Sequence, residues 1–174
     1  MTKIIRDSRV FDRGSISRSG FMDYNDSATH TTALSYTTGS ELQITNDGLG
    51  EFTLKAYKPC DVTELWNVAT SQFDFTRLRL GDRVSLRIDI NVTTSAPNQV
   101  IEFHLLFGIG DMPYTLGIYH GYFKTAATYN IVETEGFYIG NTTTKDYPGQ
   151  LIFSSDDDAT LVVNGFYIEV TCRE

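Results

Sequence analysis

The chain has 174 residues and a formal net charge of −8, and 41% of its residues are hydrophobic, including 11 Phe and 10 Tyr. This length and aromatic content suit one domain with a sizeable core. No stretch reaches the roughly 18 apolar residues of a membrane helix, and the N-terminus lacks the apolar centre of a secretory signal. We therefore expect a cytoplasmic protein with no membrane partner and two reduced thiols, Cys60 and Cys172.

The first 20 residues are basic, whereas the rest of the chain is acidic. Residues 1–20 carry a charge of +3 and the other 154 residues carry −11. The apolar residues of the segment 1–20 are scattered without period, so residues 1–20 cannot fold alone. We predict an arm over residues 1–20 that binds a partner subunit, with a frayed terminus as the alternative. Its basic residues are Lys3, Arg6, Arg9, Arg13 and Arg18.

Residues 21–174 are predicted to form a single β-sandwich domain that begins with short elements. Thr31 to Thr38 reads as a weakly apolar strand, and residues 41–45 and 51–57 flank an Asn-Asp-Gly turn, which predicts a hairpin. Asp61 to Glu64 has the spacing of a helix capping box and is followed by apolar residues. We predict one short helix or an irregular crossover over residues 62–70.

The clearest pattern is the alternation of apolar and polar residues over residues 84–93. A second alternation covers residues 101–109, and a Ser-Ala-Pro-Asn loop joins the two. A period of two is typical of strands with one buried face. The pattern predicts a long antiparallel hairpin over residues 83–109.

The second half of the chain repeats short strand patterns separated by Gly, Pro, Asn and Asp. The candidates are residues 114–120, 122–129, 130–135, 137–139, 150–154 and 160–171. Roughly eight to ten strands at such intervals are typical of sandwiches and jelly rolls. The predicted fold is therefore all-β: an antiparallel jelly-roll-like β-sandwich with at most one short helix.

The last strand candidate, residues 160–171, is apolar on both parities. A strand with one buried face does not need two apolar faces. We therefore predict that a second subunit covers its other face through Leu161, Val163 and Tyr167. The expected homo-oligomer is a trimer, with a dimer as the alternative.

Residues with catalytic or metal-binding chemistry form no recognisable set. His30, His104 and His120 have no ligand or triad spacing. The run from Asp156 to Asp158 is the best cation candidate, but a solvated turn explains it better. Asp89 and Glu102 could meet across the predicted hairpin as a glycosidase pair, and opposed surface charges explain them equally well. We expect no cofactor, no metal, no nucleic-acid partner and no enzymatic activity.

Three segments resemble small structural proteins of tailed bacteriophages. They are residues 64–82 running into the strand at 83–93, Ile139 to Thr144, and Val163 to Tyr167. The resemblance implies a β-jelly-roll on the virion surface, as in head decoration (cement) proteins or the tips of tail fibres. It transfers no functional residues, because such proteins act through extended surfaces.

Three functions remain open from the sequence. The first is a capsid cement protein, assembled in the host cytoplasm, which binds the major capsid protein or other virion proteins and reaches the shell or a neighbouring copy with its basic arm. The second is a receptor- or glycan-binding module of a tail fibre, in which tyrosines stack on sugars; the candidates are Tyr114, Tyr119, Tyr122 and Tyr147. The third, which we favour least, is a polysaccharide depolymerase.

Overall fold

The computed structural model describes residues 19–59 and 61–173 as two antiparallel β-sheets packed face to face. The first sheet contains five strands: β1 (Gly20–Asn25), β2 (Leu34–Tyr36), β6 (Arg83–Thr94), β9 (Thr128–Tyr138) and β11 (Ala159–Thr171). The second sheet contains β3 (Leu42–Gln43), β7 (Gln99–Phe107), β8 (Tyr114–Phe123) and β10 (Gln150–Ser155). A small ribbon is made of β4 (Trp66–Asn67) and β5 (Gln72–Phe73), and the helices are α1 (Ala28–Thr31) and α2 (Thr142–Asp146).

The strand order is that of a jelly roll. The first sheet has the order β1-β11-β6-β9, with β2 also pairing with β11, and the second has the order β3-β10-β7-β8. Among these eight main strands, successive strands lie in opposite sheets except at the β7–β8 hairpin. Such exchange between two sheets is the double Greek key of jelly rolls. The predicted antiparallel jelly-roll-like sandwich is confirmed.

The alternating patterns place their apolar residues between the sheets. Each apolar side chain of even number from Val84 to Val92 on β6 is at most 1% exposed. The same holds for the odd-numbered side chains from Ile101 to Phe107 on β7. Burial of these side chains removes a large apolar area from water, and that burial is the main force holding the two sheets together.

The predicted hairpin over residues 83–109 is wrong, because its two strands lie in different sheets. β6 pairs with β11 and β9, whereas β7 pairs with β10 and β8. Alternation fixes which face of a strand is buried, but it does not select the neighbouring strand. Asp89 and Glu102 consequently lie on outer faces of opposite sheets and cannot form a catalytic pair.

Of the two forms predicted for residues 62–70, the helix is wrong and the irregular crossover is confirmed, and the structure has two short helices elsewhere instead of at most one. Long-range hydrogen bonds hold this segment extended: the Trp66 indole N–H donates to the Asn46 carbonyl at 2.9 Å, and the Leu65 N–H donates to the Tyr24 hydroxyl at 3.0 Å. The Glu64 carboxylate accepts from the same hydroxyl at 2.9 Å instead of capping a helix. Tertiary contacts therefore override the local capping pattern.

The hairpin predicted around the Asn-Asp-Gly turn does not form either. β3 pairs with β10, and residues 50–57 lie along the outer edge of β1. The Asp23 and Leu54 main chains exchange two hydrogen bonds of 2.8 and 2.9 Å, and the Phe21 N–H donates to the Tyr57 carbonyl. This loop covers the edge of β1.

A β-bulge explains the two apolar parities of β11. Its pairing with β6 shifts register between Val163 and Gly165. Before the bulge Leu161 and Val163 face the core, and after it Phe166, Ile168 and Val170 do so, all five at most 1% exposed. The extra residue moves the inward-facing positions from odd to even numbers.

Candidate contact surface

Two long strands leave the same side of the sandwich unpaired. Within the described residues, β8 ends the second sheet and pairs only with β7, and β9 ends the first sheet and pairs only with β6. They follow each other in the chain through residues 124–127, so their free edges lie side by side. Each free edge presents main-chain N–H and C=O groups without partners in the sheet, which makes it a template for another strand. We call this surface the β8–β9 side.

Aromatic contacts close both ends of the β8–β9 side. Phe123 and Tyr129 have ring centroids 4.2 Å apart at one end. At the other end Phe107 contacts Tyr114 at 5.3 Å and Phe137 at 5.1 Å. The core is therefore sealed at these two points, and the stretch between them is where the inner face of β9 reaches solvent.

Two carboxylates occupy inward-facing positions in that stretch. Glu133 lies opposite Ile88 and Glu135 lies opposite Leu86 in the register with β6, so both share the face of its buried residues. Both side chains are nevertheless partly exposed. Within the described residues neither makes an ion pair. A charge on the inward face of an edge strand discourages uncontrolled strand pairing. We call the partly exposed stretch that contains Glu133 and Glu135 the acidic slot.

Tyr119 on β8 faces this acidic slot. Burial, together with the negative charge of Glu133, raises the pKa of the Tyr119 phenol above its usual value. Like an ordinary tyrosine, it is neutral at physiological pH and can donate a hydrogen bond. Glu133 and Tyr119 come from opposite sheets, so the slot is formed only when the sandwich closes.

A cleft of about 460 Å³ lies at the α2 end of the β8–β9 side. Its walls are mostly apolar, with Tyr114 and Leu116 from β8 and Phe137 and Tyr138 from β9. Tyr138 is 70% exposed at this cleft. The Tyr114 hydroxyl is hydrogen-bonded to Thr144 of α2, whose N–H is capped by the Asn141 side chain at 2.8 Å. The helix thus orients one aromatic wall of the cleft.

A second, polar cleft of about 620 Å³ lies on the outer face of the second sheet. His120 Nδ1 lies 2.7 Å from the Glu102 carboxylate, and His104 Nε2 lies 3.9 Å from that of Glu41. These are two separate pairs, the His120 pair exposed and the His104 pair partly buried, and the described residues contain no group of three or more side chains able to hold a metal ion. Exposed pairs of this kind contribute little to stability.

The structure separates the residues that the sequence singled out for partner binding. The five basic arm residues, Lys3, Arg6, Arg9, Arg13 and Arg18, lie outside the described residues. Leu161 and Val163 are 0% exposed inside the single chain, so they cannot form the predicted surface for a second subunit. Tyr167 lies on the outer face of the first sheet. Its ring is tilted against that of Phe21, with centroids 5.3 Å apart, and its centroid lies 5.4 Å from the Arg87 guanidinium carbon. The apolar pattern that suggested one interface has an intramolecular cause.

The tyrosines proposed for sugar stacking do not form one platform. Tyr114 and Tyr122 lie at opposite ends of β8, and Tyr119 lies between them. Tyr147 lies beyond α2, near the Tyr114 end. The α2 end combines exposed aromatic rings with a cleft.

The Asp156 to Asp158 run is a hydrogen-bonded turn. The Asp156 carboxylate accepts from the Val100 N–H at 2.8 Å, and the Asp158 carboxylate accepts from the Thr38 N–H at 2.9 Å. These bonds tie the β10–β11 turn to neighbouring loops, in agreement with the turn expected from the sequence.

Sequence reasoning missed the β8–β9 side. The polar character of β9 on both parities, with Glu133 and Glu135 among its inward positions, was the available signal for an edge strand. The strands at 114–120 and 122–129 were instead predicted as separate, although β8 runs unbroken to Phe123. No helix of the described residues is long and apolar enough to cross a membrane.

No protein-family model and no curated protein sequence matches the chain. Solved structures of infectious bursal disease virus are similar to it at low identity. The match to the Gt strain structure has a TM-score of 0.45 and 12% sequence identity, and it covers 99% of this chain and 38% of the viral chain. The Gx strain structure has a TM-score of 0.38 and 9% identity, with coverages of 99% and 36%. The chain thus spans less than two fifths of those proteins, which come from a eukaryotic virus and not from a tailed bacteriophage.

Proposed function

We propose that this chain is a non-enzymatic structural protein of a virion that acts by binding other virion proteins. The specific form that we favour is decoration of the head shell of a tailed phage. The observation that carries the proposal is the β8–β9 side, where two edge strands of 10 and 11 residues each have one edge that pairs with no other strand of the described residues. Edges of this length invite association unless they are covered.

Exposed apolar side chains on the outer faces of these two edge strands support a contact function. Val132 is 51% exposed, Tyr122 is 55% exposed and Tyr138 is 70% exposed on these two strands. Tyrosine is enriched at protein interfaces because it offers a large apolar area and a polar end. Jelly rolls occur in capsid, lectin and cupin domains, so the surface rather than the fold supports this function.

The test is binding to head shells of the virus that encodes the chain, purified without this protein. Co-sedimentation is measured for the wild-type chain and for the double variant Val132→Ser and Tyr138→Ser. Val68→Ser is the matched control, since Val68 is 43% exposed in a turn outside the β8–β9 side. We expect the double variant to bind at least about tenfold more weakly, because buried apolar anchors dominate interface energies.

The control should bind shells as the wild type does. Failure of the wild-type chain to sediment with shells would refute the decoration function. Equal binding by the double variant would show that another surface makes the contact.

A second candidate is glycan binding by a tail-fibre module, and the cleft at the α2 end favours it. Its exposed Tyr138 and its Tyr114 wall offer aromatic rings on which sugars stack. Adsorption of fluorescent protein to host cells separates the two functions. Loss of cell binding on Tyr138→Ala, without any binding to shells, would favour this candidate. Release of reducing ends from host polysaccharide would instead reveal an enzyme.

A further inference from the structure

We propose that the β8–β9 side is the docking site for residues 1–18 of a neighbouring copy of this chain. The inference rests on the proposed contact function and names one partner of its surface. It follows from three features: the place where the described chain begins, the covered edge of β1, and the opposite charges of the two segments.

The described chain begins at the edge of the sheet opposite β9. The Ser19 hydroxyl accepts from the Cys172 N–H at 2.9 Å, just before β1, and β11 and β6 lie between β1 and β9. When two copies lie side by side in the same orientation, the β1 edge of one faces the β9 edge of the next. Residues 1–18 of one copy then start beside the β8–β9 side of its neighbour.

The edge of β1 cannot itself extend the neighbour's sheet. Residues 50–57 cover it through the main-chain bonds between Asp23 and Leu54 and between Phe21 and Tyr57. Eighteen extended residues span up to about 60 Å. That is enough to cross to the neighbour and still run along an 11-residue strand such as β9.

The charges of the two segments are complementary. Residues 1–18 contain the five basic arm residues and only two acidic ones, for a charge of +3. The slot presents Glu133 and Glu135, which have no ion-pair partner among the described residues. The Tyr119 phenol beside Glu133 adds a hydrogen-bond donor. A basic strand in the slot would neutralise carboxylates and pair with a free sheet edge.

Such a contact joins different surfaces of the two copies. Contacts of this type close into rings when the rotation between copies permits, and otherwise form open chains. The trimer predicted from the sequence would be a closed ring of three such contacts. The association would depend on the arm and the slot, and not on Leu161 and Val163.

The test is the mass of full-length chains in solution by sedimentation velocity at increasing protein concentration. The slot variant carries Glu133→Lys and Glu135→Lys, and the arm variant carries Arg6→Glu, Arg9→Glu and Arg13→Glu. We expect each to associate at least about tenfold more weakly than the wild type, since two or more ion pairs become repulsive. A chain with both sets of changes should recover most of the association, because the charges are complementary again.

The matched control carries Glu102→Lys and Glu169→Lys, which change the charge equally at exposed positions on the outer faces of the two sheets, away from the slot. It should associate as the wild type does. The isosteric pair Glu133→Gln and Glu135→Gln tests the slot if the lysine variant fails to fold, and it too should weaken association.

Three outcomes would overturn the proposal. They are a wild-type chain that stays at 19.5 kDa, slot variants that associate normally, and a combined variant that recovers nothing. Binding to head shells is measured separately, so the two ideas fail independently. A chain that associates through its arm but ignores shells would refute only the decoration function.

Discussion

Replacing Leu161 by Ala tests whether this residue fills the core of one chain or an interface between chains. Leu161 is 0% exposed within the single chain, where it faces the core ahead of the bulge in β11. The substitution removes three buried carbons, at about 0.8 kcal/mol each. The cavity left behind adds to this loss, so we expect the free energy of unfolding to fall by about 3 kcal/mol.

Urea unfolding at two protein concentrations that differ tenfold is the assay. With a slope of about 3 kcal/mol per molar urea, the midpoint should fall by about 1 M. The difference between wild type and variant should be the same at both concentrations, because the lost contacts lie within one chain. Tyr167→Ala is the matched control from the same strand, and because its side chain is partly exposed it should cost less than about 1.5 kcal/mol.

Two results would refute this reasoning. One is a Leu161→Ala variant with unchanged stability that no longer self-associates. The other is a loss of stability that appears only at low protein concentration. Either would return Leu161 to the interface predicted from the sequence.

Three further predictions concern the bulge, a buried phenol and a buried amide. Gly165→Ala should lower the free energy of unfolding by about 1–3 kcal/mol, because an added Cβ would lie 2.8 Å from the Tyr24 carbonyl oxygen. Gly117→Ala is the control, since the space at its Cβ is open, and it should change the free energy of unfolding by less than about 0.5 kcal/mol. Thermal unfolding of the two variants measures both effects. Burial raises the pKa of the Tyr24 phenol, so above the unfolded value of about 10 the unfolded chain loses this proton first. The free energy of unfolding should therefore fall as pH rises above about 10. The measurement is the urea midpoint as a function of pH. If the midpoint of Tyr24→Phe fell with pH as steeply as that of the wild type, Tyr24 would not be the cause. Gln99→Ala should cost about 2–4 kcal/mol in chemical unfolding, because the buried amide donates to the Ser155 hydroxyl at 2.8 Å and to two carbonyls of the β10–β11 turn at 2.9 and 3.0 Å. A loss below about 0.5 kcal/mol would show that water replaces these bonds.

The sequence by itself determined the fold class and the buried face of each long strand. On β6 the even-numbered residues from Val84 to Val92 are apolar, and they are the ones that the structure buries. A side chain's parity on a strand is a local property, so a single sequence suffices to predict it. The large number of short strands and turns was likewise enough to predict an antiparallel sandwich.

Only the tertiary structure decided which strands are neighbours. β6 and β7 are adjacent in sequence and face the same core, yet the chain between them crosses from one sheet to the other. Strand partners are separated by many residues, and their selection depends on closing the whole core, which no local pattern records. The segment around Trp66 shows the same limit, because its indole bond to Asn46, 20 residues away, outweighs a local helix signal.

The candidate contact surface depended on the tertiary structure for the same reason. Glu133 is an ordinary polar residue in the sequence, and it lines a slot because β9 ends one sheet beside β8, which ends the other. The apolar residues on both parities of β11 were visible in the sequence, but the register shift between Val163 and Gly165 gave them one common core. The bulge and the sheet edges arise from pairing between distant strands. The sequence therefore determined what each strand buries, and the closed sandwich determined what remains free to bind.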